Sequence, residues 1–301
     1  MLAIVIANWN GEKMLESCLE SLKKQDFKDF KVYIIDNGSQ DKSVEIIENY
    51  RNSINIELKK LSYNSGFAKA NNLGIAKALE DGYDYILTLN NDIEMKSDCL
   101  EIAIKDVLNL KDEYDIFQLF MINYYDRNVC DAAGLSFDNR LYVTQLGEKE
   151  NVEEVSSKIT EIDGACAGAA IYSRKCLEKV VLSKGNYFDS NFFAYYEDVD
   201  LALRLKISGF KSKLLKKSIV YHMHSVTGNS QSGFKDYYLS RNFLIYTKRN
   251  QSKDSYKINK YYYCWTVTKR IVKNVINPIN FKFIIKGTKD GISEAKKTKG
   301  I

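Results

Sequence analysis

The chain has 301 residues, 45% of them apolar, which suits one large domain with a substantial core or one domain plus an extension. Six cysteines without a C-x-x-C pair, beside only two histidines, argue against a structural zinc site and read as reduced, mostly buried thiols of a cytosolic protein. The net charge of +5 hides an asymmetry: residues 251–301 hold twelve basic against three acidic side chains, so the first 250 residues carry a net −4. A tail of that kind calls for an anionic partner.

The chain opens on an apolar run at 2–7. No basic segment precedes it, and it is far too short for a signal peptide or a membrane span, so it reads as a buried first strand. Gly11 breaks the run, and Leu15, Cys18, Leu19 and Leu22 then recur at helical spacing. A second strand at 31–36 ends in Asn37-Gly38-Ser39. Asp41 or Ser43 can cap the helix that carries Val44, Ile47 and Tyr50. Strand 54–61, helix 68–79 and strand 83–89 follow. Strand and helix alternating every 25–30 residues imply a mostly parallel sheet covered by helices on both faces.

From 113 to 195 the pattern loosens: a strand at 114–121, an antiparallel strand at 138–146, and the small-residue run Gly164-Ala165-Cys166-Ala167-Gly168-Ala169-Ala170. Such a run permits close packing, or the approach of backbone to a ligand at Gly168. A helix is predicted over 198–208 with Gly209 as its stop, and one or two short strands over 213–221. The last third changes character: a helix at 234–249, then Tyr261-Tyr262-Tyr263-Cys264-Trp265 among lysines, a break at Pro278, and a lysine-rich end. Aromatics mixed with lysines suit a membrane interface; packing on the preceding domain or on a second copy of the chain is the plainer use of such helices. No apolar stretch of about 18 residues is present, so no span is expected.

In open parallel sheets ligands bind beyond the carboxyl ends of the strands. That rim collects Asn8 and Asn10, Asp36, Asn64 and Asp92. Neither G-x-x-x-x-G-K-[ST] nor a G-x-G-x-x-G after the first strand is present, so a bound phosphate needs another counter-charge. Asp92 offers a hard oxygen ligand for Mn²⁺ or Mg²⁺, and His222 biases the choice toward Mn²⁺. Three carboxylates stand at Glu197, Asp198 and Asp200, just ahead of an apolar helical pattern. Asp198 suits a general base. Successive helical residues point about 100° apart, so Glu197 cannot face the same atom, and Asp200 with Arg204 has the spacing of an ion pair.

The set Ile4-Val5-Ile6-Ala7-Asn8-Trp9-Asn10, Ile35-Asp36-Asn37-Gly38-Ser39, Asn64-Ser65-Gly66-Phe67-Ala68-Lys69-Ala70-Asn71-Asn72, Leu89-Asn90-Asn91-Asp92, Gly168-Ala169-Ala170, Phe188-Asp189-Ser190-Asn191-Phe192-Phe193 with Glu197-Asp198-Val199-Asp200, and His222-Met223-His224-Ser225 resembles the family 2 glycosyltransferases, in particular their rhamnosyltransferase-like branch. The resemblance covers roughly residues 1–250 in order. It implies a glycosyltransferase A fold and an inverting single displacement from a nucleotide-activated sugar, L-rhamnose on a deoxythymidine diphosphate being favoured over a uridine-diphosphate sugar. By position it implies Asp36 on the base, Asn91 and Asp92 where the family's D-x-D signature stands, Asp92 and His222 on a metal, and Asp198 as base. The full donor set expected is Asn8, Asn10, Asp36, Asn64, Asn71, Asn91 and Gly168, with Glu197, Asp200 and Arg204 supporting the acceptor. Asn90 and Asn91 replace acids often found in the signature, which removes negative charge beside the metal.

These readings combine into a catalytic domain at 1–230, its nucleotide part at 1–112 and its acceptor part at 113–230, followed by a helical basic extension at 231–301. The expected acceptor is a glycan or lipid-linked glycan of cell-surface polysaccharide synthesis. The expected place is the cytoplasmic face of the membrane, bound peripherally to anionic lipid, with a homo-oligomer through the C-terminal helices as a further use of the tail; nucleic acid is not expected as a partner. A nucleotidyltransferase would share the alternating pattern but would want a glycine- and lysine-rich phosphate loop. A non-catalytic relative would be expected to lose Asp92 or Asp198.

Overall fold

Strands buried on both faces and helices with one apolar stripe build the first half of the computed structural model, which describes residues 1–224 and 233–297. The order is β1 (Leu2–Asn8), α1 (Leu15–Lys23), β2 (Phe30–Asp36), α2 (Ser43–Tyr50), β3 (Ile56–Lys60), α3 (Phe67–Glu80) and β4 (Tyr85–Leu89). These strands lie side by side as β3-β2-β1-β4, all parallel, so their carboxyl ends share one rim. Successive residues alternate between two cores: Ile4, Ile6 and Leu87 join Leu19 and Leu100 on one face, while Val5, Tyr33 and Ile86 join Ile75 and Leu205 on the other. Each such side chain contributes about 1.5–3 kcal/mol by leaving water. Asp41 accepts the Ser43 N–H at 3.0 Å at the start of α2, whereas the Ser43 hydroxyl accepts the Gly11 N–H at 2.9 Å and ties the first loop to the second.

The second half adds β5 (Ile93–Met95), α4 (Cys99–Leu110), β6 (Ile116–Asn123), β7 (Cys130–Ala132), the hairpin β8 (Leu135–Phe137) and β9 (Val143–Gln145), α5 (Val152–Lys158), β10 (Ala169–Ser173), α6 (Arg174–Val180), α7 (Glu197–Ile207) and β11 (Ser212–His222). The sheet extends as β4-β10-β6-β11-β5 and becomes mixed. β10 runs antiparallel to both β4 and β6, while β6 and β11 are parallel. The reason is the long excursion between β6 and β10. It stays on the rim where β6 ends, so β10 must start there and run back down. The strand expected at 138–146 shrinks to β9, and the region 213–221 is one strand with a register shift between Leu215 and Ile219.

Three helices close the described chain: α8 (Phe234–Arg249), α9 (Lys253–Lys273) and α10 (Pro278–Lys297). Pro278 takes a first-turn position, where its missing N–H costs nothing. α8 is buried into the preceding core through Ile245 and Tyr246, which pack with Phe192, Val199 and Leu203. α10 lies along α8 because Gly287 and Gly291 face the carbonyls of Tyr237 and Arg241; a Cβ there would stand 2.3 and 2.7 Å from those oxygens. Among the described residues no helix is long and apolar enough to cross a membrane.

Candidate active site

A cleft of about 630 Å³ opens above the carboxyl rim. One wall comes from the loops after β1, β2 and β3, joined by amide hydrogen bonds. Asn8, fully buried, donates to Asp36 (3.0 Å) and Ser39 (3.2 Å) and accepts from Asn91 (2.7 Å). Asn37 donates to Asn64 (3.1 Å) and to the Gly66 carbonyl (3.1 Å) and accepts from the Ser65 N–H and hydroxyl, both at 2.8 Å. Asn8, Asn37, Asn64 and Asn91 all reach the cleft surface. Asn37, quoted in the sequence only as part of a turn, is thus a wall residue in its own right.

The second group gathers at Asp92, where the pairing of β11 with β5 sets His222 opposite Ile93 and brings together residues 130 positions apart. His222 Nε2 stands 3.2 Å from Asp92 Oδ1, and its Nδ1 lies 2.6 Å from Asp131 Oδ2. His224 pairs with the other Asp131 oxygen. Burial opposes charge on His222, yet the carboxylates of Asp131 and Asp92 outweigh it and push its pKa up to about 10. Burial likewise opposes the Asp131 carboxylate, and its two histidine partners hold it well below the usual range. The same negative field suits a divalent ion. Adjacent ligands of an octahedral ion with bonds of about 2.1 Å sit about 3.0 Å apart, so the Asp92–His222 separation fits one. Asp131, the carboxylate that His222 and His224 share, has no signal in the sequence: β7 is three residues long and carries no motif. Ser225, last of the motif residues, lies outside the described residues.

The third group is the start of α7. Asp198 accepts the Val199 N–H at 2.8 Å and the Ala167 N–H at 3.4 Å. Ala167 and Gly168 both face the cleft, so the small-residue run does bring backbone to the site. Burial raises the pKa of Asp198, while these backbone donors favour its charged form. Glu197 is pushed well above the carboxylate range by burial and by the Asp198 charge, and its Oε2 is buried without a hydrogen-bond partner. Of the two neighbours, Glu197 is therefore the more strongly raised, and Asp198, with its backbone donors, is the better placed to carry the charge.

The segment ahead of α7 is strained. Phe193, Tyr195 and Tyr196 hold φ of 64°, 65° and 74°, a region costly for residues with a Cβ. Two devices fix it. The Phe193 carbonyl accepts the Phe67 N–H at 2.6 Å at the start of α3, where Gly66 at φ 88° leaves room: a Cβ there would stand 2.6 Å from that carbonyl oxygen. From the other side Asn242 of α8, fully buried, points its amide nitrogen at the carbonyls of Phe192, Ala194 and Tyr195 at 2.7–2.8 Å.

Several expected residues stand behind the cleft surface. Asp36 is spent on Asn8 and Ser39, and Asn71 turns back on the Phe67 carbonyl at 3.0 Å inside α3. Asn10 accepts the Gln40 N–H at 2.9 Å. Asp200 and Arg204 pair at 2.8 Å; Arg204 also donates to the carbonyls of Val180 and Tyr187, and Asn250 donates to Asp200 at 3.1 Å. That pair braces α7 from beneath and does not face the cleft.

A parallel asparagine-lined rim, an aspartate–histidine pair and a helix-start aspartate thus share one cleft of an α/β protein with the glycosyltransferase A fold. The family model of glycosyl transferase family 2 matches residues 3–181, and the chain belongs to that family. It is 32% identical over 104 residues to the poly(ribitol-phosphate) beta-N-acetylglucosaminyltransferase TarS of Staphylococcus aureus, a match covering 34% of this chain and only 18% of that protein. It is 29% identical over 222 residues to the rhamnosyltransferase WbbL of Escherichia coli, covering 70% of this chain and 79% of the relative. In structure it resembles residues 1–349 of TarS solved with UDP (TM-score 0.55, 20% identity, 81% of this chain and 65% of that one). A mannosyltransferase of Pyrobaculum calidifontis, solved with GDP-Man and Mn²⁺, superposes over all of this chain and 76% of its own (TM-score 0.58, 12% identity).

Proposed function

We propose that the protein is an inverting glycosyltransferase that moves a sugar from a nucleotide diphosphate to a hydroxyl of a glycan or lipid-linked acceptor in cell-surface polysaccharide synthesis. The observation that carries this reading is that Asp92, beside His222, and Asp198 face one cleft, the first beside the asparagine wall and the second at the start of a helix. The asparagine wall receives the nucleotide. Asp198, whose charged form the Val199 and Ala167 N–H groups favour, takes the proton of the acceptor hydroxyl as it attacks the anomeric carbon. The carbon–oxygen bond to the diphosphate breaks on the opposite side. Asp92 and His222 would hold Mn²⁺ or Mg²⁺, which as a Lewis acid would stabilise the leaving diphosphate. Holding both substrates in line lowers the barrier further.

For the donor, the likeness to WbbL over most of the chain favours L-rhamnose on deoxythymidine diphosphate. A uridine-diphosphate N-acetylhexosamine is the second reading, favoured by TarS. Screening the purified protein against nucleotide sugars, with nucleotide diphosphate release as readout, tests both. Release from none of them, with and without Mn²⁺, would remove the enzymatic reading. Loss of release in excess chelator, restored by Mn²⁺ or Mg²⁺, is expected.

The tail is assigned to peripheral binding at an anionic membrane. Along α9 and just beyond it, Ile258, Tyr261, Trp265, Val272 and Ile276 are exposed at spacings of three, four, seven and four residues, which is one side of a helix. Lys257, Lys260, Lys269 and Lys273 accompany them, each basic residue near an anionic surface contributing about 1 kcal/mol. Sedimentation with anionic vesicles at low salt, absent with neutral ones, is the expected result. Self-association through the same stripe is the second reading, and a concentration-dependent mass without vesicle binding would select it.

A further inference from the structure

The cleft has an acidic lining: Asp92, Glu148, Glu197 and Asp198 all reach it. Among the described residues a single basic side chain joins them, Arg270, and it arrives from α9. Among the described residues its guanidinium has no carboxylate within ion-pair distance, whereas Asp92 stands beside His222 and Asp198 accepts two backbone N–H groups. The fold holds Arg270 in place. α9 docks through Tyr263, whose hydroxyl donates to the Arg140 carbonyl at 2.9 Å, and through Tyr262, edge-on to Tyr142 at 6.1 Å. Those partners belong to the β8–β9 hairpin, which packs with Tyr196, a buried side chain that feels the Arg270 charge. On α9, Arg270 lies about 140° around the helix axis from Trp265, at about 100° per residue, so the helix turns its exposed apolar stripe outward and this one arginine inward.

A half-buried guanidinium has five donors in a planar fork that matches phosphate oxygens bidentately. In an open cleft water solvates it, and an anionic ligand would replace that water with charge-assisted hydrogen bonds. The nucleotide and its diphosphate are assigned to the loops after β1–β4. Arg270 instead sits with the hairpin and Tyr196, two residues from Asp198, where the acceptor hydroxyl must arrive.

We propose that Arg270 reads a phosphate group on the acceptor, making this cleft selective for phosphate-bearing acceptors over neutral glycans. The proposal rests on the glycosyltransferase reading above. Two acceptor sources share this chemistry, a lipid-linked diphosphate and a phosphodiester polymer. The test measures equilibrium binding of farnesyl diphosphate and of a ribitol phosphate trimer to the full chain saturated with nucleoside diphosphate and Mn²⁺. It compares the unmodified protein with Arg270→Gln and Arg270→Lys, each checked for an unchanged melting temperature. At least one probe is expected to bind tenfold or more weakly to Arg270→Gln, with part of the affinity kept by Arg270→Lys, and the probe affected identifies the source. Equal binding of both probes by the unmodified protein and Arg270→Gln would overturn the proposal. So would a matching fall in nucleoside diphosphate affinity, which would make Arg270 a donor ligand. Failure of the glycosyltransferase reading itself shows separately, as an absence of nucleotide-sugar turnover in the unmodified protein.

Discussion

The two sides of the cleft are built in different ways. The proposed nucleotide side is local: each wall asparagine ends its own strand or follows it within four positions, and Asn37 bonds to Asn64 and Asn91 to Asn8 across neighbouring parallel strands. The acceptor side is composite. Asp198, the proposed base, stands on α7, the segment leading to it is clamped by Asn242 of α8, the hairpin β8–β9 forms the flank, and α9 delivers Arg270. A rim of parallel strands presents a preformed surface, whereas the composite side depends on helices far along the chain packing correctly. Donor binding should therefore survive damage that ruins transfer.

The sharpest test of that contrast is Asp198→Asn. Transfer should fall by about 10²–10⁴, the usual worth of a general base, while nucleotide binding by calorimetry stays within a few-fold. Near-normal turnover would remove Asp198 from its role. Next in size is Asp131→Asn, which takes away the carboxylate charge that faces His222 Nδ1. A supporting carboxylate of this kind typically alters metal affinity about 10–100-fold. Mn²⁺ binding followed by electron paramagnetic resonance should weaken accordingly, with the fold intact, and unchanged affinity would show that Asp92 and His222 need no such support.

Asn242→Ala probes the clamp. Carbonyls of the strained segment lose their donor, and a buried group so orphaned costs about 1–3 kcal/mol. The melting temperature should drop and kcat with it, the nucleotide affinity changing least; equal losses on both sides of the cleft would erase the contrast drawn here. The smallest effect concerns Glu197. Its folded pKa is raised, so the native state binds its proton more tightly than the unfolded chain and stability is lost as pH rises above the unfolded value of about 4.3. Glu197→Gln should be the more stable protein at pH 7, with the advantage vanishing near pH 4, as followed by urea unfolding at both values. A constant difference across that range would show that the carboxyl is ionised in the fold.

The alternation of strands and helices over residues 1–89, the rim they form, and the placement of Asn8, Asn64, Asn91, Asp92 and Asp198 at the cleft were legible in the amino-acid order, as was the pairing of Asp92 with His222 through the resemblance. The reason is that periodicity, turn residues and strand ends are local properties. Asn10, Asp36 and Asn71 lie near the same rim, yet their side chains turn to Gln40, Ser39 and Phe67 because buried amides and carboxylates must be satisfied. Only the tertiary structure decided what depends on residues far apart. The reversal of β10 follows from where a long excursion ends. Asp131 meets His222 through the β6, β7 and β11 registers, and Asn242 meets the approach to α7 through helix docking. Arg270 is one basic residue among twelve in the tail, and only the packing of Tyr262 and Tyr263 on the hairpin turns it toward the site.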